Sequence, residues 1–413
     1  MSDELKSCDM RRMSMSDLGC KRTVLRMQPP RYAWAMVSSA SLHSIRLFYA
    51  AYFAAMGIVL PFFPVYLAGR GMDAAAIGVF TGLLAIAKVL APPLAGHALD
   101  RSPDTSRFIL FASLAAAVLA LLLPWMETRV MLALAVLGFG CLWAVVLPLT
   151  DGLSVAVSEA ALVDYGRLRV WGSIGFVVAS LAGGIWLAGA QQSQFPYWLA
   201  AMLLLTGVAA RGFPANTLHP DQASPRQGRF VSSFGLLLLV SFLMQASHGA
   251  YYGFYSLYLI KAGYAGWMIG AFWVLGVMAE IVLMWRWSRP IGEAAPSMML
   301  SVCLFLASVR WLGIGLTQVW WMLALLQLLH AASFAAFHVN AVTWVRRFSP
   351  PERQASAQSW YSAAGFGLGT ALGMMACGWI SAQSETFGFQ CAFTACAAVA
   401  LLGIPVALRL QRT

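Results

Sequence analysis

Charged side chains are scarce in this sequence. Asp, Glu, Lys and Arg together make up 10% of the 413 residues, whereas soluble domains contain about 25%. This scarcity excludes an ordinary soluble domain and predicts a membrane protein. Apolar stretches of roughly 20 residues, which is the length that crosses a bilayer as a helix, occur twelve times, near residues 47–68, 75–97, 108–126, 130–150, 169–190, 195–211, 231–259, 265–285, 296–316, 319–344, 356–380 and 387–408.

Cysteine pairs with metal-binding spacing are also absent. None of the seven cysteines belongs to a CxxC pair, and most of them lie within the apolar stretches. This pattern predicts neither a disulfide framework nor a metal site, and we expect no cofactor. The hydrolase motifs HExxH and GxSxG do not occur among the spans. We therefore expect that the chain is not an enzyme.

Positive charge is distributed unevenly between the two sides of the predicted spans. With the N-terminus placed in the cytoplasm, 22 Lys and Arg residues lie on the cytoplasmic side, and only Arg70, Arg129 and Lys261 lie on the other. Cytoplasmic loops carry such an excess. We therefore expect both termini to lie in the cytoplasm. We also expect a monomer in the bacterial inner membrane. The net charge of +11 follows from this topology, and we expect no nucleic acid partner.

A polar stretch at residues 211–230 separates the first six spans from the last six. Across it, "YLAGRGMDAAAIGVFTGLLAIAK" (66–88) aligns without gaps on "YLIKAGYAGWMIGAFWVLGVMAE" (258–280), with eight identities at an offset of 192 residues. The repeat predicts a duplicated six-helix unit, an architecture in which transporters bind substrate near mid-membrane. We expect a disordered cytoplasmic tail (1–45), an N-terminal six-helix bundle (46–211), a cytoplasmic linker (212–230) and a C-terminal six-helix bundle (231–413).

Four charged residues fall within a span or at the end of one: Lys88, Asp151, Glu280 and Arg310. Each charge at the bilayer centre costs roughly 2.5–3.5 kcal/mol on insertion scales. Such residues persist mainly where they pair, face water or bind a ligand. The repeat places Lys88 and Glu280 at equivalent positions, so both are expected at the depth of a central cavity.

The stretch "GHALDRSPDTSR" (96–107) combines a small residue, a helix-ending acid, a short turn and two arginines. It resembles the loop signature Gly-x-x-x-Asp-Arg-x-Gly-x-Arg of the major facilitator superfamily, and departs from it at Pro103 and in the spacing to the last Arg. The resemblance implies an all-α polytopic membrane protein with twelve transmembrane helices in two pseudo-symmetric bundles. It also implies a conformational switch formed by Gly96, Asp100, Arg101 and Arg107.

The stretches "GIVLPFFPVYLAGRGM", "DYGRLRVWGSIGF", "ASHGAYYGFYSLYL" and "SVRWLGIGL" resemble the branch of that superfamily that contains proton symporters of 3-phenylpropionate, nucleosides and lactose. In the lactose-transporting members, a Glu, an Arg and a His of spans 8 to 10 form a cluster for sugar and proton. Glu280, Arg310 and His330 occupy the matching positions. This sequence departs from the pattern where Ser333 replaces an acid and Gln327 replaces a Lys.

The same resemblance bears on Asp151, Arg169 and His248. Asp151 and Arg169 match a pair that grips sugar hydroxyls, with an inert salt bridge as the alternative. His248 replaces an acidic position, with a buried neutral histidine as the alternative. The expected substrate-binding residues are Lys88, Asp151, Arg169, Trp171, Tyr252, Arg310 and Trp360, and the expected proton-coupling residues are Glu280, His330 and His248.

These residues predict a carrier for a small molecule and a proton. Lys88, Arg169 and Arg310 would place three cations around a cavity, one more than Asp151 and Glu280 neutralise. This excess favours a small organic anion, in keeping with the phenylpropionate transporters of the branch. The expected function is proton-coupled uptake of such an anion, for example an aromatic carboxylate, by alternating access. A proton-coupled nucleoside or oligosaccharide symporter is the alternative, because the acid–Arg pairs also suit hydroxyls. A nutrient sensor of the same fold that does not transport is a further alternative.

Overall fold

The computed structural model describes residues 38–99, 104–189, 191–214, 232–350 and 353–410, with only the backbone described for 92–99. In these ranges every regular element is helical, which confirms the all-α prediction. The helices are α1 (Ser39–Gly69), α2 (Ala74–Leu99), α3 (Thr105–Leu122), α4 (Arg129–Ala161), α5 (Tyr165–Leu187), α6 (Phe195–Ala210), α7 (Ser232–Ala246 and Gly249–Lys261), α8 (Gly266–Glu293), α9 (Pro296–Leu316), α10 (Trp320–Leu328 and Phe337–Arg347), α11 (Gln354–Ser362 and Thr370–Ala382) and α12 (Gly388–Ala407).

Twelve helical stretches in the described ranges are long and apolar enough to cross a membrane. The number of predicted spans is therefore confirmed. The first helix begins earlier than expected, because the side chain of Ser38 caps it by accepting a hydrogen bond from the backbone N–H of Ser41. The predicted tail thus reaches into a helix over residues 39–45, while residues 1–37 lie outside the described part. Most of the predicted linker, residues 215–230, also lies outside it.

Three of the later helices are irregular in the middle. Helix α7 is interrupted between Ala246 and Gly249. Helices α10 and α11 each contain a π-helical segment, at Ala331–Ala336 and Ala363–Gly369. A π segment inserts an extra residue into a turn, and such segments are frequent at functional sites. Here the two segments carry Phe334 and Phe366 to a common cavity.

The helices pack mostly within the first six and within the last six. Helix α1 packs on α5 and α6, and α2 and α3 pack on α4; later in the chain, α9 packs on α12 and α7 on α11 and α12. The two groups of helices are joined mainly by contacts of α2 with α11, α5 with α8, and α1 with α7, and by a smaller contact of α2 with α7. The cavity described next lies between the two groups.

Glycines permit the close approach of helices where the groups meet. A Cβ on Gly78 of α2 would lie 2.6 Å from the carbonyl oxygen of Met374 in α11. A Cβ on Gly184 of α5 would lie 2.5 Å from the carbonyl oxygen of Gly266 in α8, and one on Gly270 would collide with the carbonyl oxygen of Ser180. Gly78 and Gly270 are equivalent positions of the 192-residue repeat. The two contacts therefore use matching glycines, as expected where small residues allow helices to pack closely.

Candidate functional site

A cavity of about 230 Å³ lies between the two groups of helices. Helices α1, α2 and α4 form one wall, and α7, α10 and α11 form the other. The lining is mainly aliphatic and aromatic: Tyr52, Met56, Val59, Leu60, Phe63, Pro64, Thr81, Leu84, Ala85, Lys88, Gly140, Trp143, Ala144, Tyr252, Phe334, Phe366, Thr370 and Met374. Such a lining suits a ligand that is itself largely apolar.

Lys88 is the only Lys, Arg, Asp or Glu residue in this lining. It stands on the same face of α2 as Thr81, Leu84 and Ala85, because residues three, four and seven positions apart align along a helix. Its side chain is solvent-exposed. Among the described residues no carboxylate oxygen lies within 4.0 Å of its amine, since none of the described ion pairs includes it. The cavity thus contains a cation without a protein counter-charge.

The cavity offers few other free polar groups. The hydroxyl of Thr81 donates to the carbonyl oxygen of Ile77 at 2.8 Å, and the hydroxyl of Thr370 donates to that of Gly365 at 3.4 Å. Each hydroxyl therefore donates its hydrogen bond to a carbonyl oxygen of its own helix. The remaining polar groups of the lining are the phenols of Tyr52 and Tyr252 and the indole N–H of Trp143, which is buried without a hydrogen-bond partner in the described structure.

Arg310 does not reach this cavity. Its side chain is fully buried, with the guanidinium carbon 4.3 Å from the ring centre of Tyr251 and 4.4 Å from that of Trp311. Its Nη2 donates to Oε1 of Gln327 at 2.8 Å, and its Nη1 approaches Nδ1 of His330 at 2.7 Å and Oγ of Ser333 at 3.2 Å. Stacking and hydrogen bonds within the protein thus compensate the charge in a site away from the lining.

The contact with Arg310 determines the state of the His330 ring. A guanidinium can only donate, so Nδ1 of His330 accepts from it, and the ring is neutral with its proton on Nε2. That nitrogen lies 2.6 Å from Oε1 of Glu280 and donates to it. The three side chains therefore form a continuous chain from carboxylate through imidazole to guanidinium.

The structure brings together Glu280, Arg310 and His330, the three residues of the cluster that the resemblance implies, and their role stays a prediction. No nitrogen of Arg310 lies within 4.0 Å of a Glu280 oxygen, and His330 bridges the two side chains. The two departures from the family pattern explain the bridge. Gln327 and Ser333 both accept from the guanidinium, so neutral residues occupy the places of a Lys and an acid, and no second carboxylate competes for Arg310.

His248 lies next to this chain. Its Nδ1 donates to the carbonyl oxygen of Met244 at 2.8 Å, which leaves Nε2 as an acceptor, and Nε2 is buried without a hydrogen-bond partner in the described structure. The ring centre lies 6.1 Å from that of His330 and 5.4 Å from that of Tyr252. Because Tyr252 lines the cavity, it stands between His248 and the cavity.

Phe334 separates His330 from the cavity in the same way. It follows His330 by one helical turn, and the two rings stack with their centres 5.4 Å apart. The buried chain Glu280–His330–Arg310 therefore sits behind a wall formed by Tyr252 and Phe334. Of the residues expected to bind substrate, only Lys88 and Tyr252 line the cavity.

Asp151 and Arg169 form a second polar cluster, outside the lining. Their closest nitrogen and oxygen are 3.6 Å apart, and each side chain is about one-third exposed. Oδ1 of Asp151 also accepts from the hydroxyls of Tyr49 at 2.7 Å and Tyr165 at 3.0 Å, and the guanidinium of Arg169 stacks on Phe53 at 4.6 Å. The predicted pair is present, and its role in binding stays a prediction.

The structure does not bring Trp171 or Trp360 to the cavity. Their exposed fractions are 42% and 60%, and neither belongs to the lining. Their expected role in binding substrate stays a prediction. Of the aromatic residues that line the cavity, Tyr252 was predicted, whereas Tyr52, Phe63, Trp143, Phe334 and Phe366 were not. Phe334 could have been found, because it stands one helical turn after His330.

The predicted switch loop falls mostly outside the described residues. Asp100 and Arg101 lie in the undescribed interval, and Gly96 lies where only the backbone of α2 is described. Arg107 is described and pairs with Asp104 at 3.0 Å, on the exposed start of α3. The role of these four residues as a switch therefore stays a prediction.

Comparisons with known proteins agree with this architecture. The profile of the MFS_1 like family matches residues 42–393. The chain is 32% identical over 316 residues to the probable 3-phenylpropionic acid transporter of Escherichia coli (strain K12), covering 73% of this chain and 81% of the relative. It is 27% identical over 374 residues to the maltose permease of Geobacillus stearothermophilus, covering 89% and 94%.

A solved structure shows the same fold. The crystal structure of nucleoside transporter NupG superposes with a TM-score of 0.77, covering 90% of this chain and 99% of that one at 16% identity. The putative nucleoside transporter YegT of Escherichia coli (strain K12) is 25% identical over 334 residues, covering 75% of this chain and 77% of the relative. Together with the twelve apolar helices, these matches identify a multi-pass integral membrane protein.

Proposed function

The chain belongs to the MFS_1 like family of transporters, and from this premise we propose that it is a secondary active transporter that takes up a small organic anion together with a proton. The proposed substrate is an aromatic carboxylate, such as a phenylpropionate-like acid, and the proposed mechanism is alternating access. The observation that carries the proposal is the unpaired amine of Lys88 in an otherwise apolar, aromatic-lined cavity.

The cavity lining suits both parts of such a molecule. The amine of Lys88 supplies a charge-assisted hydrogen bond to a carboxylate, and the rings of Trp143, Phe334 and Phe366 offer apolar faces to an aromatic body. The volume of about 230 Å³ is smaller than that of typical ligand pockets, which is about 300–1,000 Å³. Size therefore favours a single-ring acid over an oligosaccharide.

A nucleoside or oligosaccharide remains the second candidate, because relatives named for nucleosides and maltose share this fold. Sugar recognition needs several hydrogen-bonding groups directed at hydroxyls. In this cavity the hydroxyls of Thr81 and Thr370 are bonded to their own helices, which makes the cavity less suited to a sugar. A sensor of the same fold that binds without transporting is the third candidate.

We assign the coupling proton to the buried chain of Glu280, His330 and Arg310, with His248 beside it. Taking up a proton turns the Glu280 carboxylate into a weaker acceptor, so the bond from His330 weakens. The ring of His330 stacks on Phe334, which lines the cavity. Protonation and substrate binding would therefore meet at this shared aromatic wall, and symport requires that each event favours the other.

The test is uptake by proteoliposomes that contain the purified full-length chain. Labelled 3-phenylpropionate, uridine and maltose are offered with and without an inward proton gradient, and protein-free liposomes correct for passive entry of the acid. The proposal predicts that only the carboxylate accumulates above equilibrium, and only with the gradient. Accumulation of uridine or maltose instead would support the second candidate. Binding of the carboxylate without any protein-dependent flux would indicate the sensor.

A further inference from the structure

The charges that face the cavity suggest a rule of selection that goes further than the proposed function on which it rests. We propose that the cavity acts as a charge filter, which accepts a molecule with one carboxylate and rejects the same molecule when it also carries an ammonium or a second carboxylate. Lys88 is the residue that determines this specificity, together with the absence of any acid from the described lining.

The helices of the cavity wall differ in the charged and polar groups that they present to a ligand. Helix α2 presents Lys88, while α1 and α7 present the neutral phenols of Tyr52 and Tyr252. The contributions of α4, α10 and α11 to the lining contain no acid and no base; their side chains are apolar, apart from the indole of Trp143 and the hydroxyl of Thr370. A ligand within this cavity therefore meets one positive charge and no negative charge.

The two intramembrane acids, Glu280 and Asp151, already have partners within the protein. Glu280 accepts from His330 at 2.6 Å behind the aromatic wall. Asp151 accepts from two tyrosine hydroxyls and pairs with Arg169. An amino acid in the cavity would place its ammonium beside Lys88 with no carboxylate to receive it. An unpaired charge in apolar surroundings is strongly disfavoured, and like charges placed together add to the penalty.

A second carboxylate on the ligand would find no cation in the cavity with which to pair. The two other intramembrane cations are not free to receive it: the guanidinium of Arg310 is fully buried and bonded to Gln327 and His330, and Arg169 lies outside the lining. A dicarboxylate would therefore bring one uncompensated negative charge into the cavity. Rejection by an unpaired charge is a common way to obtain specificity.

A matched ligand series on one carbon skeleton tests the filter. 3-Phenylpropionate carries the single carboxylate, L-phenylalanine adds an ammonium at carbon 2, benzylmalonate adds a carboxylate at carbon 2, and 3-phenylpropanol has no charge. Isothermal titration of the purified full-length chain in detergent measures the Kd of each compound without requiring transport. We expect 3-phenylpropionate to bind more than tenfold more tightly than each of the other three.

Two variants assign the effect to Lys88. Lys88→Met, which keeps the length of the side chain and removes the charge, is expected to weaken 3-phenylpropionate more than tenfold and to leave 3-phenylpropanol within threefold. Lys88→Arg is the matched control that keeps the charge, and it is expected to preserve the preference for the single carboxylate. Size-exclusion elution and melting temperature check that each variant is folded.

The outcomes separate this inference from the proposed function. Phenylalanine or benzylmalonate binding within threefold of 3-phenylpropionate to the unaltered chain would overturn the filter, and the proposed uptake of carboxylates would stand. Absence of measurable 3-phenylpropionate binding, with binding of uridine or maltose instead, would overturn both. The order of the four Kd values in the unaltered chain tests the charge filter even if the Lys88→Met protein does not fold. A Lys88→Met protein that folds and keeps the preference would also overturn the filter.

Discussion

Two intramembrane cations of this chain have opposite surroundings at the scale of single residues. Arg310 is fully buried, with its guanidinium next to the rings of Tyr251 and Trp311 and hydrogen-bonded through both of its terminal nitrogens. Lys88 faces a cavity and has no carboxylate partner among the described residues. The first cation is therefore compensated by the protein, whereas the second needs a partner from outside. This difference is the basis for assigning substrate recognition to Lys88.

Replacement of Arg310 by lysine is expected to destabilise the fold. A lysine keeps the charge, but its single ammonium cannot reach both His330 and Gln327. One buried acceptor would lose its partner, at a cost of about 1–3 kcal/mol. The melting temperature of purified Arg310→Lys protein should fall by several degrees. The matched control is Arg289→Lys, whose exposed partner is Glu293, and which should change little. Equal melting temperatures for Arg310→Lys and the unaltered chain would contradict the buried network.

Replacement of Glu280 by glutamine is expected to abolish coupling. Glutamine keeps the shape and can accept from His330, but it cannot take up a proton. Glu280→Gln proteoliposomes should exchange labelled for unlabelled substrate and fail to accumulate substrate under an inward proton gradient. Glu293→Gln, on the exposed end of the same helix, is the control and should accumulate normally. Accumulation by Glu280→Gln with unchanged pH dependence would place the proton site elsewhere.

The sequence located these charged residues because charge is costly within a membrane, and so Lys88, Glu280 and Arg310 were recognisable without a structure. The sequence did not show which of these residues line the same cavity. The orientation of Arg310 depends on Tyr251, Trp311 and Gln327, which come from three different helices. Such contacts arise from tertiary packing and have no local signal in the chain.

At the scale of helices, the spans were predictable and their irregularities were not. Length and hydropathy identify a transmembrane helix directly, because each span has to bury about 20 residues in lipid. The π segments Ala331–Ala336 and Ala363–Gly369 have no comparable signature, since an extra residue in a turn depends on packing against neighbouring helices. For the same reason Phe366 was missed. Trp171 and Trp360 lie outside the lining, and their role in binding stays a prediction.

The glycine contacts between α2 and α11 and between α5 and α8 predict an effect of added bulk. Gly78→Leu would collide with the backbone of α11, so the two helices have to separate, and conformations in which this end is open should gain population. Spin labels at positions 73 and 385, in a background without native cysteines, should report a longer distance. Gly152→Leu is the control, because no atom lies within 4 Å of its added Cβ. An unchanged distance in Gly78→Leu would contradict the role of this contact.

At the scale of the whole molecule, the intramembrane charges of the described residues balance one another within the fold, except for the charge of Lys88. Asp151 is matched by Arg169, and Glu280 by Arg310 through His330, which leaves the charge of Lys88 for the substrate. The fold and the number of spans followed from the sequence, because hydropathy and the 192-residue repeat act over the entire chain. The cytoplasmic location of both termini stays a prediction that rests on the uneven distribution of Lys and Arg.

The most direct test of the central claim follows protons and substrate together. Proteoliposomes with equal pH inside and outside receive 3-phenylpropionate in a weakly buffered medium, while external pH and uptake of label are recorded. Proton-coupled uptake predicts alkalinisation of the medium that accompanies the label, exceeds that of protein-free liposomes, and is lost in Lys88→Met. Protein-dependent uptake of label with no alkalinisation beyond that of protein-free liposomes would contradict proton-coupled transport of the anion.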